Sequence, residues 1–177
     1  KSYFFPELAG VGLSRNPFAW KKGMDPRSGM VRLVFGLGTR AVNRVENDYP
    51  RIVAMDDPMV KPLAGMADIR RFSQRFVDLL NLEKNRLETV SLEGLLEKEV
   101  PRRMELVGIR DTEAADRLRE MGRPEKDFWI LTFDPFLSQT PFVDLMKRLL
   151  SRREGVYGNP VDVEFTVDFG QDRALQT

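Results

Sequence analysis

Two side chains close to the C-terminal end carry the most readable chemistry. From 161 to 169, Val161, Val163, Phe165, Val167 and Phe169 alternate with Asp162, Glu164, Thr166 and Asp168, which is the period of a half-buried strand. Gly170, Gln171 and Asp172 read as a tight turn, and 173–176 as the returning strand. A turn centred on Gly170 sets Glu164 opposite Gln176, and cross-strand neighbours on one face have Cβ atoms about 5 Å apart. A carboxylate and an amide oxygen so paired can share a hard cation such as Mg2+, which prefers oxygen ligands and keeps waters and phosphates in its shell. Alternation by itself favours a plainer reading, the solvated face of a two-sided strand.

Two arginines are the other candidates. Arg15 follows a strand of small residues at 9–14 and precedes Asn16-Pro17, a turn signal. Arg40 follows Gly36-Leu37-Gly38, where the glycines let a backbone approach a ligand closely. The guanidinium is a planar fork of donors suited to phosphate oxygens. The alternative is that both arginines pair with nearby acids such as Glu46 or Asp48. A lone Gly-x-Gly falls well short of a P-loop, whose Lys-Ser/Thr pair is absent.

Composition removes whole classes of function. The 177 residues contain no histidine and no cysteine, which excludes a Ser-His-Asp triad, a His- or thiolate-bound zinc and a phosphohistidine within this chain. Lys plus Arg number 28 against 27 Asp plus Glu, so there is no electrostatic footprint for nucleic acid or an anionic membrane. The arginine pairs at 70–71, 102–103 and 152–153 are dispersed and read as solvated surface. No apolar run approaches the roughly 18 residues of a membrane span. Residues 1–177 read as one domain. The start, Lys1-Ser2-Tyr3, has neither initiator Met nor signal-peptide pattern; the expectation is a piece of a longer cytoplasmic protein, with Tyr3, Phe4 and Phe5 as an edge that packs on a part preceding Lys1.

The elements that must position these groups follow from pattern. Strands are expected at 9–14, 31–35 and 51–55, and a hairpin from 76–80 and 87–90 around the polar loop 81–86. Ser91 is expected to cap a helix over 92–100 that Gly94 weakens and Pro101 ends. Thr112 is expected to cap a second helix through Met121, stopped by Gly122. A buried strand at 128–133 precedes a helix that Thr140-Pro141 opens and that runs to about Arg153. The fold class is therefore α/β of the α+β type, with a mixed, largely antiparallel sheet.

The motifs then meet a known family. Tyr157-Gly158-Asn159-Pro160-Val161-Asp162-Val163-Glu164-Phe165, followed by Leu175-Gln176-Thr177, resembles the end of the ATP-grasp-type nucleotide domain of the phosphoenolpyruvate synthase and pyruvate phosphate dikinase family. Ala9-Gly10-Val11-Gly12-Leu13-Ser14-Arg15-Asn16-Pro17 resembles that family's N-terminal strand and turn, and Gly36-Leu37-Gly38 its Gly-Leu-Gly-Glu element. Thr39 stands where many members carry the acidic residue, and a hydroxyl cannot replace a carboxylate as metal ligand.

By position, the resemblance implies that Glu164 and Gln176 hold Mg2+ and the phosphates of ATP. Arg15 and Arg40 are then candidates for neutralising phosphate charge. It implies a partial nucleotide domain lacking its N-terminal lysine-bearing subdomain. The acceptor histidine would lie on a separate swivelling domain, from which the phosphoryl group passes to pyruvate or a related acceptor. The isolated fragment is expected to be inactive. The competing expectation is a degenerate, non-catalytic regulatory or interaction module.

Overall fold

The computed structural model describes residues 2–18, 21–43, 45–61, 65–101, 103–124 and 126–170. The expected returning strand at 173–176, and with it Gln176, lies outside the described residues.

The centre is a four-stranded antiparallel sheet. It contains β2 (Leu8–Leu13), β3 (Met30–Val34), β4 (Arg51–Ala54) and β9 (Asp162–Val167), in the order β4-β3-β2-β9. A second antiparallel sheet joins β1 (Tyr3–Phe4) to the hairpin of β5 (Phe76–Asn81) and β6 (Arg86–Ser91), and β7 (Gly108–Arg110) pairs with β8 (Trp129–Leu131). The helices are α1 (Thr39–Val42), α2 (Met66–Arg71), α3 (Leu92–Leu96), α4 (Met104–Val107), α5 (Thr112–Glu120), α6 (Asp134–Gln139) and α7 (Phe142–Tyr157). The fold class read from the sequence holds: helices and antiparallel sheets are mixed. None of these helices is long and apolar enough to cross a membrane.

The sheet buries both faces, unequally. Leu8, Val31, Leu33, Val53 and Val167 face the main core, with Phe136, Phe142, Met146 and Leu150 from α6 and α7. Rings chain through this layer: Phe136 lies 4.7 Å from Phe142, and Phe142 5.5 Å from Phe165. Gly10 and Gly12 make the close approach possible. A Cβ at Gly10 would stand 2.2 Å from the Arg32 carbonyl oxygen, and one at Gly12 2.8 Å from Met146 Cε. On the other face a small cluster of Ala9, Val11 and Val34 lies under Ala41 of α1.

Several local expectations need correction. The helix after Ser91 ends at Leu96 rather than near Val100, although Ser91 does cap it, accepting from the Gly94 amide at 3.1 Å. The cap of α5 is Asp111, one residue earlier than expected, because its carboxylate accepts from the Ala114 amide at 3.1 Å. The same carboxylate takes Arg70 Nε at 2.6 Å and NH2 at 2.8 Å, tying α2 to α5. The strand at 128–133 shortens to Trp129–Leu131, because Phe133 adopts a left-handed conformation that starts α6. The N-terminal aromatics are partly taken up within the domain: Tyr3 pairs with Asn81 in β5, and the Phe5 ring meets Phe35 at 5.5 Å, while Phe4 stays exposed.

Charge fixes an expected acid response. Arg70 holds Asp111 below the usual carboxylate value against the cost of burial, and hydrogen bonds from Asn81, Arg86 and Lys84 bring Glu88 down to about 2. A carboxyl lowered by folding stabilises the fold above its unfolded value and loses that contribution as pH falls through the folded one. Stability in urea should therefore stay level near neutrality and fall as the pH drops from about 5 towards 2. Asp111→Asn should flatten that slope; an unchanged slope would show that Asp111 is not among the groups responsible.

Candidate nucleotide-binding face

Glu164 sits in the middle of β9, exposed, and its register partner on β2 is Val11. Val11 is in turn the partner of Arg32 on β3, and Arg32 of Ile52 on β4. Directly paired residues of neighbouring strands point to the same side of the sheet. Glu164, Val11, Arg32 and Ile52 thus form one transverse row on the face opposite α7. Arg32 is half-buried and, among the described residues, has no ion pair or side-chain hydrogen bond. A half-buried guanidinium without a partner is unusual, because its donors lose water without replacement.

The donor set fits a metal held jointly with a nucleotide better than a metal caged by protein. No group of three acidic side chains gathers among the described residues. Mg2+ bound with phosphates needs only one or two carboxylates, and Glu164 supplies one in the open. Gln176, expected to be the second ligand, is outside the described residues.

The structure does not bring Arg15 to this row. Its guanidinium is ion-paired with Glu154 of α7, and α7 covers the opposite face. There, with Arg27, Lys147, Ser28 and Ser151, Arg15 lines a polar cavity of about 420 Å3. Arg40 belongs to α1, which covers the Glu164 side, but its guanidinium is engaged in the interior. Nε meets Asp78 at 3.0 Å, NH1 pairs with Asp48, and the Phe76 ring lies 5.7 Å away.

That pairing with Asp48 is the plainer of the two readings of Arg40, joined by an acid that sequence reading did not single out. Asp78 also accepts from Thr39 Oγ1 and Thr89 Oγ1, each at 2.6 Å. Burial pushes its carboxyl up, but the two threonine hydroxyls and the Arg40 guanidinium outweigh this and hold it below its ordinary value. The rest of the glycine-bearing segment is strapped equally firmly. Gln74 both accepts from the Phe35 amide and donates to its carbonyl at 2.8 Å, and the Leu37 amide donates to the Asp78 carbonyl at 2.9 Å. The Thr39 hydroxyl is therefore committed to holding the loop against β5.

Arg32 was missed from sequence because its spacing from Glu164 means nothing until three strands are in register. The only available signal was a lone charge inside the apolar run 30–35.

The fold is an antiparallel α+β domain in which, among the described residues, a carboxylate and a guanidinium without a partner share one sheet face. The chain belongs to the family described as the pyruvate phosphate dikinase AMP/ATP-binding domain, which it matches over residues 2–176. It is thus a domain of an AMP/ATP-binding kind from kinase-like phosphotransferases. No curated protein matches the chain.

Proposed function

We propose that this domain binds Mg-ATP on the Glu164 face, as part of a phosphoenolpyruvate synthase-like phosphotransferase. The observation that carries the reading is the row Glu164–Val11–Arg32, which sets an exposed carboxylate and a cation with no partner among the described residues on the same face of the sheet. Glu164, with Gln176, would hold Mg2+ against the polyphosphate. Bound there, the ion would neutralise phosphate charge during transfer. Arg32 supplies donors to the phosphates, Arg40 positions the loop behind them, and Arg15 serves an anion only from the far side of the sheet. The domain would act as the partial ATP-grasp-type unit of a longer polypeptide. A histidine on another domain would accept the phosphoryl group and pass it to pyruvate or a related acceptor.

The test is Mg-ATP turnover by the complete phosphotransferase. Glu164→Gln should lower kcat at least about a hundredfold, as expected when several kcal/mol of charge stabilisation is lost. Arg32→Gln should raise the KM for ATP about tenfold, the scale of one charge-assisted hydrogen bond. Unaltered kinetics in Glu164→Gln would remove the metal assignment.

One observation favours a second reading, a non-catalytic module derived from the same domain. The Thr39 hydroxyl is consumed by Asp78, so the Gly36-Leu37-Gly38 element has no carboxylate to offer. An intact, folded parent that turns over no ATP, with or without pyruvate, would select that reading.

A further inference from the structure

The second sheet exposes an apolar row that crosses all three of its strands. Phe4 pairs with Leu80, and Leu80 with Leu87; directly paired residues point to the same side of a sheet. The three are 58%, 38% and 56% exposed. Asp78, the next residue of β5 on that side, is held by Thr39 and Arg40 of α1. Helix α1 thus covers one row and leaves the next one bare. Large apolar side chains exposed singly need no explanation, but three abreast mark an interaction surface.

The row ends at an open strand edge. β6 has β5 on one side and, among the described residues, no strand on the other. The Leu92 amide donates to the Arg75 carbonyl at 2.7 Å, and antiparallel partners bond in this way at every second pair. Along the same register Val90, Glu88 and Arg86 therefore bond to β5, which turns the amides and carbonyls of Leu87 and Thr89 outwards. Such an edge is a template for another strand. Charge selects the register that a second β6 would take. An antiparallel copy centred on Glu88 sets that carboxylate against itself, and one centred on Thr89 brings no opposite charges together. Centred on Leu87, it sets Arg86 opposite Glu88 twice. Arg86 reaches Glu88 of its own strand at 2.7 Å, yet its side chain is 63% exposed and has donors to spare for a second carboxylate.

We infer that two copies of this chain associate through β6, antiparallel, about a two-fold axis at Leu87. The amide and carbonyl of Leu87 in each copy bond to those of the other, and two three-stranded sheets become one of six strands. On one side the apolar row runs unbroken from Phe4 through both Leu87 side chains to the partner's Phe4. On the other side Arg86 and Glu88 of the two copies interleave as a charge ladder. A foreign strand could satisfy the backbone edge, but here one short sequence supplies the charge match and the apolar match in the same register. None of these residues belongs to the proposed nucleotide contacts, so the association holds whether or not Glu164 binds metal.

Sedimentation of the full chain over rising concentration tests the association, and cysteine cross-linking tests its register. A reversible dimer with a Kd in the micromolar range is expected. Arg86→Glu, at an exposed position, turns two attractive cross-strand pairs into repulsive ones and should weaken the dimer about tenfold while the chain still melts cooperatively. The chain has no cysteine, so a single introduced thiol reports its own distance across the axis. Leu87→Cys should form an intermolecular disulfide on mild oxidation, because the two positions face each other directly. Thr89→Cys should not, since its two copies lie about 14 Å apart in this register, beyond the reach of a disulfide. The inference is overturned if the native chain stays monomeric up to about 1 mM, if folded Arg86→Glu dimerises as tightly, or if Thr89→Cys cross-links as readily as Leu87→Cys.

Discussion

Replacing Asp78 with alanine is expected to cost about 3–5 kcal/mol, the range for breaking a buried ion pair from one side. Three donors lose their acceptor at once, namely Thr39 Oγ1, Thr89 Oγ1 and Arg40 Nε. Among the described residues the Arg40 guanidinium then keeps one carboxylate, Asp48, which must also serve the Arg75 amide at 2.5 Å. In a domain of this size the midpoint of thermal unfolding should drop by roughly 10 °C. Asp78→Asn preserves the shape and one acceptor, so it should fall between the alanine variant and the native chain. A loss below about 1 kcal/mol in urea unfolding of Asp78→Ala would show that the network is worth no more than a surface ion pair.

The second large effect is expected at Gly36. Its φ of +92° belongs to a region that side-chain-bearing residues seldom occupy, and a Cβ there would lie 2.5 Å from Val77 Cγ1 and 2.8 Å from the Asp78 carbonyl oxygen. Gly36→Ala therefore combines backbone strain of about 1–3 kcal/mol with an overpacking cost of similar size. The neighbour cannot move aside cheaply, since one of the two clashing atoms is backbone in β5. Gly158 is the natural control: it too has positive φ, but a Cβ there would meet nothing within 4 Å. Gly158→Ala should show the strain without the clash. Equal losses in the two variants would mean that packing against β5 contributes nothing.

These two sites also show how far local pattern carries. The alternation in β9 was legible because each residue's environment repeats every second position, and the hairpin of β5 and β6 because its polar loop is continuous in sequence. Ser91 was legible as a cap, since its partner is three residues away. Asp111 and Thr112 are both good caps by residue type; Arg70, brought across from α2, decides between them. The short helices α2, α4 and α6 have too few residues to display a period and exist by packing. Asp78 and Arg32 were invisible for a common reason. Each is one charged residue in an apolar strand, and its meaning comes from elements far away in the chain. The Asp48 partner of Arg40 is reachable from sequence, being eight residues away, whereas the Asp78 half of its network is not.

The pairing of β2 with β9 has a kinetic side. β2 lies near the start of the described chain and β9 near its end, yet they align over six residues from Leu8↔Val167 to Leu13↔Asp162. Contacts so remote in sequence form late, because a long loop must close before they reward the closure. During synthesis β2, β3 and β4 can assemble as a meander while β2 still presents a bare edge. Gly10 and Gly12 leave that edge flat and thinly guarded, open to a strand from any nearby chain. The arrival of β9 seals it and in the same step delivers Glu164 to its row. Of the described strands, β9 thus serves as both gatekeeper against strand exchange and carrier of the acid, so a copy that traded β9 with a neighbour would assemble its row from two chains.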